Sequence, residues 1–276
     1  MKKFLKKNYS KLIIYLIIII FSTIMIFPVI WSFSQSLKII GLFFEYPFRF
    51  IPHPVAWENY PGAWHVGIGH WLNNSLFITI ISVIISTFFA TLTGYVFAKF
   101  NFRFKNIYFV VILATMMIPW HLIIIPLYEM VVKTKLVNTY TGLIIPFTLS
   151  AFGIFLMRQF ITIIPDELID AARVDGASEI RIFLQLIIPL SLPAMATLAI
   201  FNFMGTWEEF FWPLVAGNAD RVKVVSVGMA GFVTAKIIDY NYQIAGAVIS
   251  VLPVLILFIF LQRFITKGFM LSGIKG

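Results

Sequence analysis

Two carboxylates and two indoles share six consecutive residues, Trp207-Glu208-Glu209-Phe210-Phe211-Trp212. Carboxylates accept hydrogen bonds from hydroxyl groups, and aromatic rings stack on the apolar faces of sugar rings, so the run suits a sugar ligand. The same tryptophans equally suit a membrane interface with no ligand. His121 follows Pro119-Trp120 inside an apolar run. An ionisable group there is a functional candidate, with a neutral, hydrogen-bonded packing histidine as the alternative. The four histidines, at 53, 65, 70 and 121, form no metal-ligand pattern, and there is no cysteine. That excludes disulfides, thiolate metal sites and cysteine nucleophiles. A further set of carboxylates, Asp166, Glu167, Asp170, Asp175 and Glu179, has no histidine near it and no metal-ligand spacing. It is poorly suited to catalysis. No Gly-x-x-x-x-Gly-Lys-Ser/Thr occurs, so the chain has no loop to cradle ATP phosphates.

The elements that carry these residues are set by composition. Of 276 residues, 60% are hydrophobic and 12% are charged, with mean hydropathy +0.94. A soluble domain carries about 25% charged residues. The apolar excess comes in blocks of roughly 20 residues, the length that crosses a bilayer. Six spans are expected, over 12–33, 74–97, 107–130, 141–161, 193–215 and 244–265, in a single transmembrane domain covering 1–276. They must be helices, because a lone helix satisfies its own backbone in hydrocarbon and the runs lack the alternation of barrel strands. The first block follows five lysines but is too long for a signal h-region and has no small-x-small cleavage site, so it reads as a retained span. Prolines at 28, 119, 126, 146, 213 and 253 interrupt several spans. They suit bent helices lining a pathway, or ordinary kinks absorbed by packing. Segments 35–72 and 216–242 read as loops, the first with one short helix.

Charge sets the orientation. Fourteen of the 21 Lys and Arg residues lie at the N-terminus, the 2–3 and 4–5 connections and the C-terminal tail; seven lie on the other side. By the positive-inside rule both termini and the 4–5 connection, 162–192, are cytoplasmic. The net charge of +9 does not imply nucleic acid, because the basic residues sit at the ends of apolar blocks, where anionic lipid headgroups place them.

The 4–5 connection is the one long polar stretch between spans. Pro165 suits a first helical position, and Asp166 and Glu167 suit a first turn. Leu168, Ala171 and Ala172 mark one face of a short helix. Asp175-Gly176 stops it, and a second helix starts near Ala177-Ser178 with Ile180, Phe183, Leu184 and Ile187 at helical spacing. Pro189 and Pro193 are expected to end that helix before span five. A helix, a sharp turn and another helix, joined stiffly to two spans, is suited to transmitting a push.

This stretch resembles the EAA loop of ABC-importer permeases: Glu-Ala-Ala, three residues, Gly, nine residues, Ile, one residue, Leu-Pro. The positions here are Asp170-Ala171-Ala172, Gly176, Leu186 and Ile188-Pro189, with Asp, Leu and Ile as conservative departures. The longer run Asp175-Gly176-Ala177-Ser178 with Pro189-Leu190 and Pro193 looks like the carbohydrate-uptake branch. So do Asn73-Asn74-Ser75-Leu76, Ile118-Pro119, Ile125-Pro126-Leu127-Tyr128, Thr139-Tyr140-Thr141-Gly142-Leu143, Phe155-Leu156-Met157-Arg158-Gln159-Phe160, the Trp207–Leu214 run and the tail from Gln262. At 208 that branch commonly has Asn where this chain has Glu208.

The resemblance implies an all-α integral membrane fold of the type I importer kind and the maltose-permease-like six-span half, in a bacterial cytoplasmic membrane. It implies a non-catalytic subunit that imports a sugar or oligosaccharide by alternating access, with ATP and Mg held by partner subunits. Partners would be a second permease subunit, two ATPase subunits, an extracellular solute-binding protein and membrane lipid. It assigns ATPase coupling to Asp170, Ala171, Ala172, Asp175, Gly176, Ala177, Ser178 and Pro189, with a further ATPase contact at Lys275 and Gly276. A substrate path would include Trp207, Glu208, Glu209, Trp212 and His121. The alternative class is a secondary transporter, which would need coupling carboxylates or an inverted repeat near the midplane. Outside span five, Glu129 at one span margin is the one carboxylate within the expected spans. A membrane enzyme would need a clustered catalytic set, and none is present.

Overall fold

The computed structural model describes residues 2–39, 42, 45–231 and 240–272. Lys275 and Gly276 lie outside them. The described residues contain helices and no strand. They divide into two compact units, Met1–Gly69 with Met229–Val251, and His70–Gly228 with Leu252–Gly276.

Helix α1 runs Lys2–Ser36 with Pro28 inside it. Every side chain from Lys11 to Ile30 is exposed, as expected of an apolar helix meant for lipid or another chain. Helix α2, Asn59–Ala63, is followed by the turn Trp64–Ile68, kinked at Gly67 where φ is +124, and by α3, Gly69–Lys99. The expected loop 35–72 therefore contains the start of this helical stretch. In the first unit, the buried Asn59 amide donates to the carbonyls of Ser36 at 2.8 Å and Lys38 at 2.9 Å, satisfying backbone just past α1. Its carbonyl accepts from Asn241 at 2.9 Å.

Helix α4, Lys105–Thr115, and α5, Trp120–Lys133, meet at 97°; the expected third span is broken. Pro119 is the cause. The residue before a proline is pushed out of the helical region, and Pro119 itself is extended, with ψ 131. Pro126, inside α5, is tolerated. Helix α6, Tyr140–Ile144, tightens into a 3₁₀ turn at Ile145–Phe147, and α7, Ala151–Thr162, follows at 46°. The expected fourth span is thus also a bent pair. Ser150 starts α7 by accepting the Gly153 N–H at 3.0 Å.

Helix α8 is Asp166–Val174 and α9 is Glu179–Ile182. A π turn at Phe183–Ile187 leads directly into α10, Ile188–Trp207. The expectation that Pro189 and Pro193 end the second helix is overturned. In the π turn the Ile188 N–H reaches back to the Phe183 carbonyl, five residues earlier, which widens the backbone just before the Pro189 ring would clash. The helical stretch runs unbroken from Glu179 to Trp207. It starts earlier than the expected 193–215 and stops at Trp207, with α11, Phe211–Ala216, a separate short helix. Helix α12, Val225–Gly231, lies in the expected loop 216–242, and α13, Tyr240–Ser272, closes the series with Pro253 inside it. Among the described residues four helical stretches are long and apolar enough to cross a membrane, and counting each bent pair as one span gives six.

The second unit has two apolar cores. One gathers Met157, Ile169, Ile182, Phe183, Ile187 and Leu198, from α7 to α10, against Tyr95 of α3. The other gathers Ile78, Leu143, Trp212 and Val222.

Candidate functional site

The polar helix–turn–helix forms as its local chemistry predicts. Pro165 precedes α8, and Asp166 and Glu167 occupy its first turn. Gly176 has φ +80, the left-handed region that a side chain resists, and ends the helix. Its N–H donates to Arg173 at 3.0 Å and the Ala177 N–H reaches Ala172 at 2.9 Å, satisfying the last carbonyls of α8. Ser178 then caps α9 by accepting the Arg181 N–H at 3.3 Å.

The turn is braced by charge. Arg173 donates to Asp170 at 3.0 Å and to Glu179 at 2.8 Å, tying α8 to α9. Lys99, at the end of α3, donates to the Ile164 carbonyl and to Asp166 at 2.6 Å. The Lys99 ammonium, by hydrogen bond first and by charge second, holds the exposed Asp166 carboxyl below its usual range. The Tyr95 hydroxyl donates to Glu179 at 3.0 Å while its ring stacks on Phe183 at 5.8 Å.

The apolar face is split rather than shared. Ala172 and Ala177 pack against the chain's own core, together with buried Ile169. Ala171 and Gly176 are exposed, as are Asp170, Asp175 and Ser178. Leu168 does not face inward with Ala172; it is exposed, as are Val174 and Ile180, with 87% and 73% of their surfaces open. Phe183 and Ile187 are buried while Ile180 and Leu184 are exposed. Pro189 is exposed and belongs to the first turn of α10, past the π turn from Gly176.

A second site lies where the two helix breaks meet α3 and α10. An open cleft of about 450 Å³ is lined by Ser86, Trp120, Phe147, Asn202, Thr206 and Glu209, among others. Asn202 donates to Ser86 at 3.2 Å across it. Trp120 contributes a buried indole N–H with no protein partner among the described residues. Glu209 accepts the Trp212 N–H at 3.1 Å at the start of α11, and it also lines a smaller pocket with Trp207.

The structure thus separates the residues of the Trp-Glu-Glu run. Glu209 faces the cleft. Trp207 is 8% exposed and stacks on Phe203 at 5.5 Å. Trp212 is fully buried and donates to the Gly142 carbonyl at 3.2 Å, so it is a core residue rather than a stacking platform. Glu208 is exposed at the end of α10, and His121 is exposed in the first turn of α5, edge-on to Phe211 at 5.1 Å. Neither lines the cleft. Ser86, Asn202, Thr206 and, as a cleft residue, Trp120 are not among the sequence-based site residues. A lone amide in the apolar run Ile200-Phe201-Asn202-Phe203 was the available signal.

The motifs around span two also find partners. Asn74 donates to Lys223 at 2.9 Å and accepts from the Tyr140 hydroxyl at 2.7 Å, and Ser75 accepts the Val225 N–H at 2.8 Å. Arg221 donates to the Asn138 carbonyl at 3.0 Å.

Membrane-length helices, some of them bent around a polar cleft, with a braced helix–turn–helix between two of them, define a transport permease. The chain belongs to the family of binding-protein-dependent transport system inner membrane components, whose pattern matches residues 90–270. It is 36% identical over 206 residues to the arabinooligosaccharides transport system permease protein AraQ of Halalkalibacterium halodurans, covering 75% of this chain and 74% of that one. It is 34% identical over 253 residues to the diacetylchitobiose uptake system permease protein NgcG of Streptomyces coelicolor, covering 90% and 83%. Its fold matches a chain in the crystal structure of a bacterial ABC transporter involved in the import of the acidic polysaccharide alginate. The TM-score is 0.82 at 23% identity, over 94% of this chain and 98% of that one. The protein is a non-catalytic permease subunit of an ABC importer.

Proposed function

We propose that this chain is the six-span half of an ATP-driven importer for a sugar or oligosaccharide. It lies in a bacterial cytoplasmic membrane, with both termini and the helix–turn–helix in the cytoplasm, as the distribution of Lys and Arg indicates. It pairs with a second permease subunit and receives substrate from an extracellular binding protein. Two ATPase subunits hold the ATP and Mg. The observation that carries this reading is the braced turn at Gly176. Exposed Val174, Ile180 and Leu168 beside it form an apolar surface that water does not favour and a partner groove would cover.

When the ATPases close, the turn is displaced as a unit, because Arg173 bonds both helices and α9 continues into α10. The cleft between the bent helices is this half's share of the path. Ser86, Asn202, Thr206 and Glu209 offer donors and acceptors to hydroxyls, and Trp120 and Phe147 offer ring faces. Arabinooligosaccharides and diacetylchitobiose, for which AraQ and NgcG are named, are both built from sugars and support a carbohydrate substrate.

Purification from membranes tests the assembly: the chain should come out with a second permease and two ATPase subunits, and a solitary chain that transports would refute it. In proteoliposomes with the binding protein, Asn202→Ala should lower sugar uptake while leaving that assembly intact.

A further inference from the structure

Chain connectivity alone would pass the motion of the helix–turn–helix to its two flanking elements, α7 and α10. The contacts add a third. Tyr95 and Lys99 lie four residues apart on α3, one turn of helix, and so share a face. Lys99 holds the entrance of α8, through the Ile164 carbonyl and Asp166 at 2.6 Å. Tyr95 holds the entrance of α9, through Glu179 at 3.0 Å and the stacked Phe183 ring at 5.8 Å. Glu179 is in turn bonded to Arg173, which is bonded to Asp170. The end of α3 is therefore fastened to both arms of the turn. Tyr95 is 2% exposed, so its ring cannot slip without opening the core.

The same helix carries a wall of the cleft. Ser86 lies nine residues before Tyr95, about 14 Å along the axis at 1.5 Å per residue. It accepts the Asn202 bond that spans α3 and α10. Between the two positions α3 packs against α7: a Cβ on Gly153 would stand 3.0 Å from that of Ala90. No break in α3 separates the grip from the wall.

We propose that Tyr95 and Lys99 are positioning residues through which the helix–turn–helix drives α3, so that the cleft wall moves directly with the turn. Neither residue lines the cleft, and the proposal rests on the reading in which a partner ATPase displaces the turn.

The test uses the complete importer, with partner permease, ATPases and binding protein, in proteoliposomes. Tyr95→Phe keeps the ring on Phe183 and removes the hydroxyl; Lys99→Met keeps the aliphatic stem and removes the charge. In the double variant, assembly and basal ATP turnover should be unchanged. Binding-protein-stimulated turnover and sugar uptake should both fall about tenfold, the scale of losing charge-assisted hydrogen bonds. Lys99→Arg should retain coupling, which a role in packing alone does not require. Full stimulation in a well-assembled double variant would overturn the proposal and leave the importer reading standing. If the double variant fails to assemble, Tyr95→Phe alone decides by the same ratio of stimulated to basal turnover. A wild-type chain that assembles with no ATPase overturns both readings.

Discussion

Gly94 of α3 lies so close to Met157 of α7 that a Cβ built on the glycine would stand 2.8 Å from the methionine Cβ and 2.9 Å from the Arg158 N. Small residues let helices in a membrane approach to backbone contact, where dispersion replaces the hydrophobic effect as the cohesive force. Arg158 adds a bond from its guanidinium to the Phe97 carbonyl at 3.3 Å and sits over the Phe109 ring at 4.1 Å. Helices α3, α4 and α7 thus meet around one arginine.

Gly94→Leu should therefore destabilise the protein by about 1–3 kcal/mol, because the opposing atoms include backbone and cannot rotate away. A lowered thermal midpoint in detergent checks this. Gly176→Leu should not act through crowding, because nothing lies within 4 Å of a Cβ at Gly176.

At Gly176 the constraint is the backbone. Its φ of +80 makes Gly176→Ala cost about 1 kcal/mol. Gly176→Pro goes further: it fixes φ near −65° and removes the N–H that bonds Arg173 at 3.0 Å. The variant should insert normally yet lose substrate-stimulated ATP turnover in the assembled importer. Unchanged turnover would refute the docking role of the turn.

Acid should loosen one brace. Asp166 has its pKa lowered by Lys99, so its carboxylate is favoured in the folded state. The stabilisation is fully present above the usual Asp value of about 4 and is lost as pH falls through the lowered folded value. Compared at equal pH, pepsin cleavage near 162–166 should be higher in Asp166→Asn than in wild type near pH 4, and the ratio should approach one as pH falls and wild-type Asp166 protonates.

Trp212 should behave as a core residue. Trp212→Phe removes the bond to Gly142 and leaves that carbonyl short of a donor, costing about 1–3 kcal/mol; Trp212→Ala should cost about 3–5 kcal/mol. The half-saturating sugar concentration for uptake by the folded Trp212→Phe importer should match wild type. A large shift would return Trp212 to the substrate path.

The turn was legible because each of its signals is local. Asp166, Gly176 and Ser178 each act within four residues, and the structure places each where that chemistry requires; Pro165 stands one residue earlier than expected, at the N-cap with ψ 135 rather than in the first helical position. The prolines of the spans were not legible individually. Pro119 breaks a helix, Pro126 sits inside one, and Pro189 follows a π turn that opens the backbone for it. The difference lies in the backbone conformation at and before each ring, extended at Pro119 and widened before Pro189, which the residue type alone does not show. Glu208 and Glu209 make the same point at adjacent positions. Helix α10 ends at Trp207, so the next two carboxylates point to different surroundings, and Glu209 alone reaches the cleft.

The unbroken stretch from Glu179 to Trp207 also sets a rule for how this gene can change. It is 29 residues, about 44 Å of helix at 1.5 Å each. One residue inserted after the π turn would rotate everything beyond it by about 100°. Asn202 would swing off the cleft while the turn at Gly176 stayed in place. A substitution along this stretch leaves that phase angle untouched, whereas any change of its length resets it.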